Sequence, residues 1–300
     1  MIISQMAVLF ILIAVGYLTG KIKMLTSDGV RTLSKVVINV STPCTILNSV
    51  LSGPGGISGS SVIYFLLLAL LSFAIYYVIA VPSARALGDR ENRGLYCSMI
   101  VFGNVGFMGY PVAGAIFGEQ SIFYVALFNA VFLIFSFSVG IVMISGKSGK
   151  FDLRLLVNPS LFAAALSLVI VFTGFRAPFI VAESVRLVSG VNTPCAMLVI
   201  GASIAQAPII EVFRWWRLYL ITLVKMIVMP LVAWMVFKQF VTDDLFFGII
   251  VVLSGMPIAA VVAMLAVEHE RNDRLASGGV FLTTLLSAVT IPLIVYIFLR

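Results

Sequence analysis

Two short stretches place glycine and proline together inside apolar runs: Gly109-Tyr110-Pro111 within "GNVGFMGYPVAGAIFG" at 103–118, and Ser254-Gly255-Met256-Pro257 within "LSGMPIAA" at 253–260. Proline lacks a backbone donor and its ring clashes with the preceding turn, while glycine has no Cβ to hold a helix together. Helices are therefore expected to unwind near Gly109–Pro111 and Gly255–Pro257. Where lipid surrounds the chain, non-helical backbone survives only against protein or a water-filled cavity, so both breaks must face inward. New helix N-termini starting at Pro111 and Pro257 then present free N–H groups and about half a positive charge each. Two such ends aimed at one cavity near the bilayer midplane make an anion site. The chemistry is non-covalent binding of a carboxylate.

Polar side chains that could orient such an anion stand nearby in the sequence: Asn104, and the paired segments Ser41-Thr42-Pro43 and Asn192-Thr193-Pro194. Lys225, within "LITLVKMIVMP", is a cation placed at membrane depth by its neighbours and serves as counter-charge or as a group whose proton affinity answers to one. It stands eight residues from Arg217, about 12 Å along a helix, so snorkelling to the surface is the competing account. Lys35 and Arg186 lie near the ends of apolar runs, and Glu183 is spaced to pair with Arg186.

The elements that must carry these residues follow from composition. Of 300 residues 61% are hydrophobic and 10% charged, far from the balance of a soluble domain. Apolar runs of the length needed to cross a hydrocarbon core recur at 2–20, 29–52, 60–82, 94–117, 121–145, 158–175, 180–206, 212–237, 245–267 and 276–299. They do not alternate, which excludes a barrel and predicts an all-α polytopic membrane protein with ten spans. The first run lacks a basic leader and a small-residue cleavage site, and is expected to stay as a span.

A net charge of +7 invites a nucleic-acid reading, but the basic residues alternate by loop. Lys21, Lys23, Arg31, Arg85, Arg90, Arg93, Lys147, Lys150, Arg154, Arg214, Arg217, Arg271 and Arg274 fall on one side, and Arg176, Lys238 and Arg300 on the other. The positive-inside rule then puts both termini outside and nucleic acid out of consideration. The spans also repeat. "STPC" at 41–44 is echoed by "NTPC" at 192–195, each with a cation eight residues before its proline, and "GYPVA" at 109–113 by "GMPIA" at 255–259. Residues 1–145 and 158–300 are thus expected to form two five-helix repeats of opposite orientation joined by a linker at 146–157, with spans four and nine broken and crossing. The copies differ in one respect: seven residues before the two prolines stand Asn104 and Ile250.

Other chemistry fails on inspection. Cys44, Cys97 and Cys195 are scattered in apolar segments without metal or disulfide spacing. "GKS" at 146–148 lacks the earlier glycine of a phosphate loop, where Ile141 stands, and follows an apolar span instead of a strand. His269 belongs to the charged stretch "EHERNDR" at 268–274, read as a solvated loop. The twelve acidic residues all lie in loops or at span ends, unlike the midplane carboxylates usual in sodium- and proton-coupled pumps. "GYLTG" at 16–20 and "GAIFG" at 114–118 have the spacing of close helix packing. No cofactor is called for, and no enzymatic signature is present.

With the paired "TPC" segments, the "GNVGFMGYPVAGAIFG" stretch and its partner proline in place, the whole chain resembles the auxin efflux carrier family. That family includes the plant PIN exporters and short prokaryotic carriers of malonate, malate and related acids. The linker of about ten residues, where PIN proteins have a long hydrophilic loop, makes the chain similar to the short prokaryotic type, in an inner membrane, and makes auxin an unexpected substrate. The resemblance implies a scaffold of spans one, two, six and seven, a transport domain from the rest, a crossover at Pro111 and Pro257, elevator-type alternating access and homodimers. The residues themselves point to substrate contacts at Asn104, Gly109, Tyr110, Pro111, Ser254, Gly255, Met256 and Pro257, with Lys225. Contacts at Ser41, Thr42, Pro43, Asn192, Thr193 and Pro194 are less direct, since these fall in the scaffold. Protons are one option for the coupling ion. A sodium-coupled symporter of the bile-acid type and a membrane sensor that binds an acid without moving it are the alternatives.

Overall fold

The computed structural model describes residues 2–51, 57–146, 158–206 and 212–299. Lys147, Lys150, Arg154 and nearly all of the expected linker at 146–157 lie outside them. The described residues are helical throughout, apart from connections and two interruptions. In chain order the helices are α1 (Ile2–Lys21), α2 (Ser27–Val36), α3 (Thr42–Leu51), α4 (Gly59–Ala86), α5 (Arg93–Val101), α6 (Tyr110–Phe117), α7 (Gln120–Phe135) and α8 (Ile141–Ser145). They continue with α9 (Pro159–Thr173), α10 (Phe179–Gly190), α11 (Asn192–Gln206), α12 (Trp216–Leu223), α13 (Met229–Phe237), α14 (Asp244–Ser254), α15 (Ala260–Glu268) and α16 (Asp273–Phe298). Each apolar run recognised in the sequence carries one or more of them. Six helical stretches are long and apolar enough to cross a membrane unaided: 4–21, 59–86, 120–145, 179–206, 216–237 and 273–298. Shorter apolar helices cover 105–117, 159–173 and 244–254.

Local chemistry explains where helices start. The side chains of Thr26, Asn158, Asp243 and Asn272 each accept from the backbone N–H three residues on, the capping bond that relieves an orphan donor. Pro159 then sits in the first turn of α9, where its missing N–H costs nothing. Four π-helical turns are present among the described residues, and three of them, Val37–Ser41, Val105–Gly109 and Val224–Val228, end two residues before a proline, namely Pro43, Pro111 and Pro230. A wider turn ahead of proline moves the carbonyl its ring would strike and absorbs the hydrogen bond it cannot donate, so the helix continues.

The chain forms two compact units. The first comprises residues 1–67, 106–130 and 153–206. Here α1 and α11 pack along a seam of small residues: a Cβ on Gly16 would fall 2.5 Å from the Leu198 carbonyl oxygen, and one on Gly201 would fall 2.0 Å from that of Ile13. The "GYLTG" spacing thus marks close backbone approach, as its sequence suggests. "GAIFG" does not make such a seam. Gly114 meets only the Ile122 side chain, and Gly118, at φ 82°, turns the chain from α6 toward α7.

The second unit comprises residues 68–105, 131–152 and 207–300. Its α5 lies against α8 so closely that a Cβ on Gly94 would overlap the Met143 carbonyl. Phe73 and Phe135 stack face to face with centroids 5.1 Å apart, and Phe102 meets Phe132 edge-on at 5.8 Å. In the α4–α5 connection the Asp89 carboxylate accepts from the Asn92 side chain (3.0 Å), the Asn92 N–H (3.2 Å) and the Tyr96 hydroxyl (2.9 Å). Those bonds, first among them that from the Asn92 side chain, hold its carboxyl below the usual carboxylate range. Large apolar side chains remain exposed on both units, among them Phe179 at 80% and Val78 at 74%, an arrangement suited to lipid and not to water.

Candidate functional site: a crossing of interrupted helices

Spans four and nine are each interrupted, and the two interrupted backbones meet within the second unit. Helix α5 ends at Val101, and Phe102 turns extended at φ −91°, ψ 101°. Helix α14 ends at Ser254, Gly255 makes a turn, and the chain stays non-helical through Ala259 before α15 begins. Gly103 and Ile258 form an antiparallel bridge. The Asn104 N–H donates to the Pro257 carbonyl at 2.7 Å, and the Ala259 N–H to the Phe102 carbonyl at 3.0 Å. The Ile258 N–H, which points away from that pair, donates to the Thr283 hydroxyl at 3.0 Å, and Thr283 in turn donates to the Gly279 carbonyl at 2.7 Å. Every one of these groups would otherwise be an unsatisfied polar atom in an apolar medium, at several kcal/mol each. The mutual pairing is what permits two broken helices at this depth.

Thr283→Val, which keeps the shape and removes the acceptor, is expected to lower stability by about 1–3 kcal/mol by orphaning the Ile258 N–H. Thermal unfolding in detergent, together with faster hydrogen exchange at the Ile258 amide, reads that effect.

The first break does not fall where glycine and proline suggested. The non-helical residues are Phe102, Gly103 and Asn104, whereas Gly109 is helical (φ −59°, ψ −46°) and Pro111 lies in the first turn of α6. The π-turn at Val105–Gly109 supplies the reason, since it accommodates the proline without unwinding. The new helix ends accordingly start at Val105 and Ala260, not at Pro111 and Pro257. The second break does include Gly255–Pro257, and there no π-turn precedes the proline.

Gly103 stands in a tight place: a Cβ there would lie 3.1 Å from the Lys225 Nζ and 3.3 Å from the Met256 Cβ. Lys225 is fully buried in the π-turn at 224–228 and does not snorkel. Its Nζ lies 3.5 Å from the Val101 carbonyl oxygen and 5.5 Å from the centroid of the Tyr76 ring. Asn104, Ser254, Gly255, Met256 and Pro257 are buried around the same crossing.

The remaining residues singled out by sequence collect in the first unit. The Ser41 and Thr42 hydroxyls both donate to the Asn192 Oδ1, at 3.0 and 2.9 Å, and the Ser189 hydroxyl donates to the Thr45 Oγ1 at 3.3 Å. The two "TPC" segments are thereby joined through their own polar groups, with Pro43 and Pro194 half-buried beside them. A cavity of about 270 Å³ opens on this junction, lined by Thr45, Asn48, Tyr110, Pro111, Asn192 and Thr193, with Glu119 at its edge. The Tyr110 hydroxyl is buried and has no hydrogen-bond partner among the described residues. Gly109 lies just before α6 in the same unit. Lys35 is exposed, and Arg186 makes a two-point ion pair with Glu183, as the spacing suggested. His269 is half-buried at the end of α15, and Arg271 of the same charged stretch donates to the Ser145 carbonyl.

Sequence reasoning missed Thr283, Gly279 and Tyr76, whose parts depend on which helix faces the crossing. It also missed Thr45 and Asn48, although these follow "TPC" by one and four residues and share the buried side of the same helix with Ser41. Among the described residues no group of three His, Cys, Asp or Glu side chains is placed to hold a metal.

Comparison with known families decides the class of this molecule: residues 1–295 match the membrane transport protein family. The chain belongs to that family. Its relatives include an uncharacterized transporter of Methanocaldococcus jannaschii, 27% identical over 95% of both chains. A putative malonate transporter of Rhizobium meliloti is 22% identical, over 96% of this chain and 93% of its own. The uncharacterized transporter YfdV of Escherichia coli is 20% identical, over 98% and 97%. As a member of the membrane transport protein family the chain is a transporter and not an enzyme, and the buried crossing is the part of it that has no counterpart in a simple helical bundle.

Proposed function

We propose that this chain is a secondary carrier of small carboxylates, with malonate and malate as first candidates and auxin-like acids less expected. The crossing of two interrupted helices carries this reading. Next to it the first turn of α15 leaves the N–H groups of Ala260 and Val261 without intrahelical partners, a local positive pole three residues beyond Pro257, whose carbonyl accepts the Asn104 N–H. A carboxylate bound there would take hydrogen bonds from the helix end and be oriented by Asn104, with Lys225 adding positive potential from behind. The malonate named for the Rhizobium meliloti relative is of this chemical class.

The same reading takes the apolar runs as ten spans in two inverted repeats, 1–145 and 158–300, with both termini outside a prokaryotic inner membrane. Movement is by an elevator-type step in a homodimer. Ser41, Thr42, Pro43, Asn192, Thr193 and Pro194 act from the stationary part, and Gly109, Tyr110 and Pro111 position the helix that follows the first break. Because one charge moving through 100 mV is worth about 2.3 kcal/mol, an uncoupled carrier would export anions from a cell negative inside, and uptake would require an accompanying cation such as a proton. A flux screen in proteoliposomes tests the proposal: mono- and dicarboxylates are offered under separately imposed pH, sodium and voltage gradients. Saturable, voltage-sensitive flux of at least one small carboxylate is expected. Binding without flux would instead support a sensor, and flux of neutral solutes alone would overturn the anion reading.

A further inference from the structure

The Lys225 side chain ends where the helices that lead into the crossing end. Helix α5 ends at Val101 and α14 at Ser254, so the last carbonyls of each point past a helix end; the Leu253 carbonyl accepts the Met256 N–H at 3.2 Å and keeps its second lone pair. Nζ lies 3.5 Å from the Val101 oxygen. The Leu253 carbonyl oxygen borders the same small space, since the point where a Gly103 Cβ would stand is 3.1 Å from Nζ and 3.5 Å from that oxygen. Tyr76 closes the space with its ring face, 5.5 Å from Nζ to the centroid. Among the described residues its buried hydroxyl has no hydrogen-bond partner, and Ser72 and Ser254 flank it with their protons donated to their own helices.

Among the described residues the ion pair formed is Arg186–Glu183, and no carboxylate lies within 4 Å of Lys225. Burial disfavours a charged lysine, so without a counter-ion Lys225 stays a cation only where dipoles hold it. Each helix C-terminus carries about half a negative charge, so two converging ends offer roughly one unit, the amount needed to balance a monovalent cation. In secondary carriers, unwound carbonyls and half-helix C-termini are the groups that coordinate a coupling ion.

We propose that Lys225 is a tethered cation. Its ammonium fills, by a covalent arm, the place between two half-helix C-termini where a cation-coupled carrier binds its ion. The wild-type protein therefore needs no sodium, and removing the side chain opens a site for a small hard cation bounded by the Val101 and Leu253 carbonyls. The inference rests on the transporter reading only in its flux arm; the site itself is tested without any substrate.

The full chain, purified in detergent, is unfolded thermally while NaCl replaces choline chloride from 0 to about 100 mM at constant ionic strength, with KCl as a size control. Wild type should show no sodium-specific shift. Lys225→Ala should unfold at a lower temperature in choline and recover by roughly 3 °C or more, saturably, with sodium and not with potassium. Lys225→Ser should behave alike and stands in if the alanine variant does not fold. Lys225→Met, which fills the space without charge, should show no sodium response and less than one tenth of wild-type malonate flux. In proteoliposomes a sodium gradient should leave wild-type malonate flux unchanged and stimulate that of Lys225→Ala several-fold. Small-residue variants indifferent to sodium, a sodium-specific shift in wild type, or wild-type flux in Lys225→Met would each overturn the proposal. Absence of malonate flux in wild type would count against the carboxylate reading and leave the unfolding result to decide the cation site.

Discussion

Asn104→Ala lowers carboxylate flux in proteoliposomes at least ~10-fold while the protein still folds. The backbone of residue 104 holds the crossing through its N–H to Pro257 at 2.7 Å, and alanine keeps that bond. What is lost is the side-chain amide of a residue only 8% exposed, whose backbone bonds Pro257 three residues before α15, where the proposal places the carboxylate. A hydrogen bond to a charged group is worth about 1.5–3 kcal/mol, and each 1.4 kcal/mol is tenfold, so a loss between ~10- and ~150-fold is the expected range. Asn104→Asp should be worse, because it sets a like charge beside the anion. Unfolding temperatures within a few degrees of wild type separate this effect from misfolding. Unchanged flux in the alanine variant would remove Asn104 from the binding site.

The second large effect lies in the first unit and concerns stability. Gly201→Ala would place a methyl group 2.0 Å from the Ile13 carbonyl oxygen and 2.6 Å from the Tyr17 nitrogen, both backbone atoms of α1. Backbone in a helix cannot rotate aside as a flexible side chain can, so α1 and α11 must separate along their length. Loss of that seam puts the expected cost on the order of 3 kcal/mol, the upper part of the range for overpacking. The measurement is thermal unfolding in detergent, set against Gly190→Ala, where a Cβ would meet nothing within 4 Å. A drop for Gly201→Ala of less than about 2 °C relative to that control would show that the helices are not held at this distance.

Much of the architecture was legible because lipid constrains the chain so strongly. Each apolar run became helix, and most limits agree within a few residues, as with 60–82 against Gly59–Ala86 and 158–175 against Pro159–Thr173. Membrane-depth backbone has few options, so length and hydropathy suffice for this. Lys225 was likewise visible as a cation out of place. The first break was displaced from Gly109–Pro111 to Phe102–Asn104, and no local rule would have corrected it. A proline can be passed by a π-turn, and which of two nearby positions unwinds depends on where partners for the freed N–H and C=O groups lie.

From the sequence alone came the class of molecule, the helical segments, the existence of two interruptions and the close packing at Gly16 and Gly20. Tertiary structure alone decided that Gly103 pairs with Ile258, that Thr283 on α16 satisfies the Ile258 N–H, that Gly16 packs against Gly201 and Gly20 against Ala202 and Ala205, and that Lys225 faces carbonyl ends instead of an acid. Composition and periodicity report what a segment must avoid, which in lipid is an unpaired backbone group. Pairing across a crossing is a relation between residues about 150 positions apart, and it is settled only when the helices that bring them together have packed.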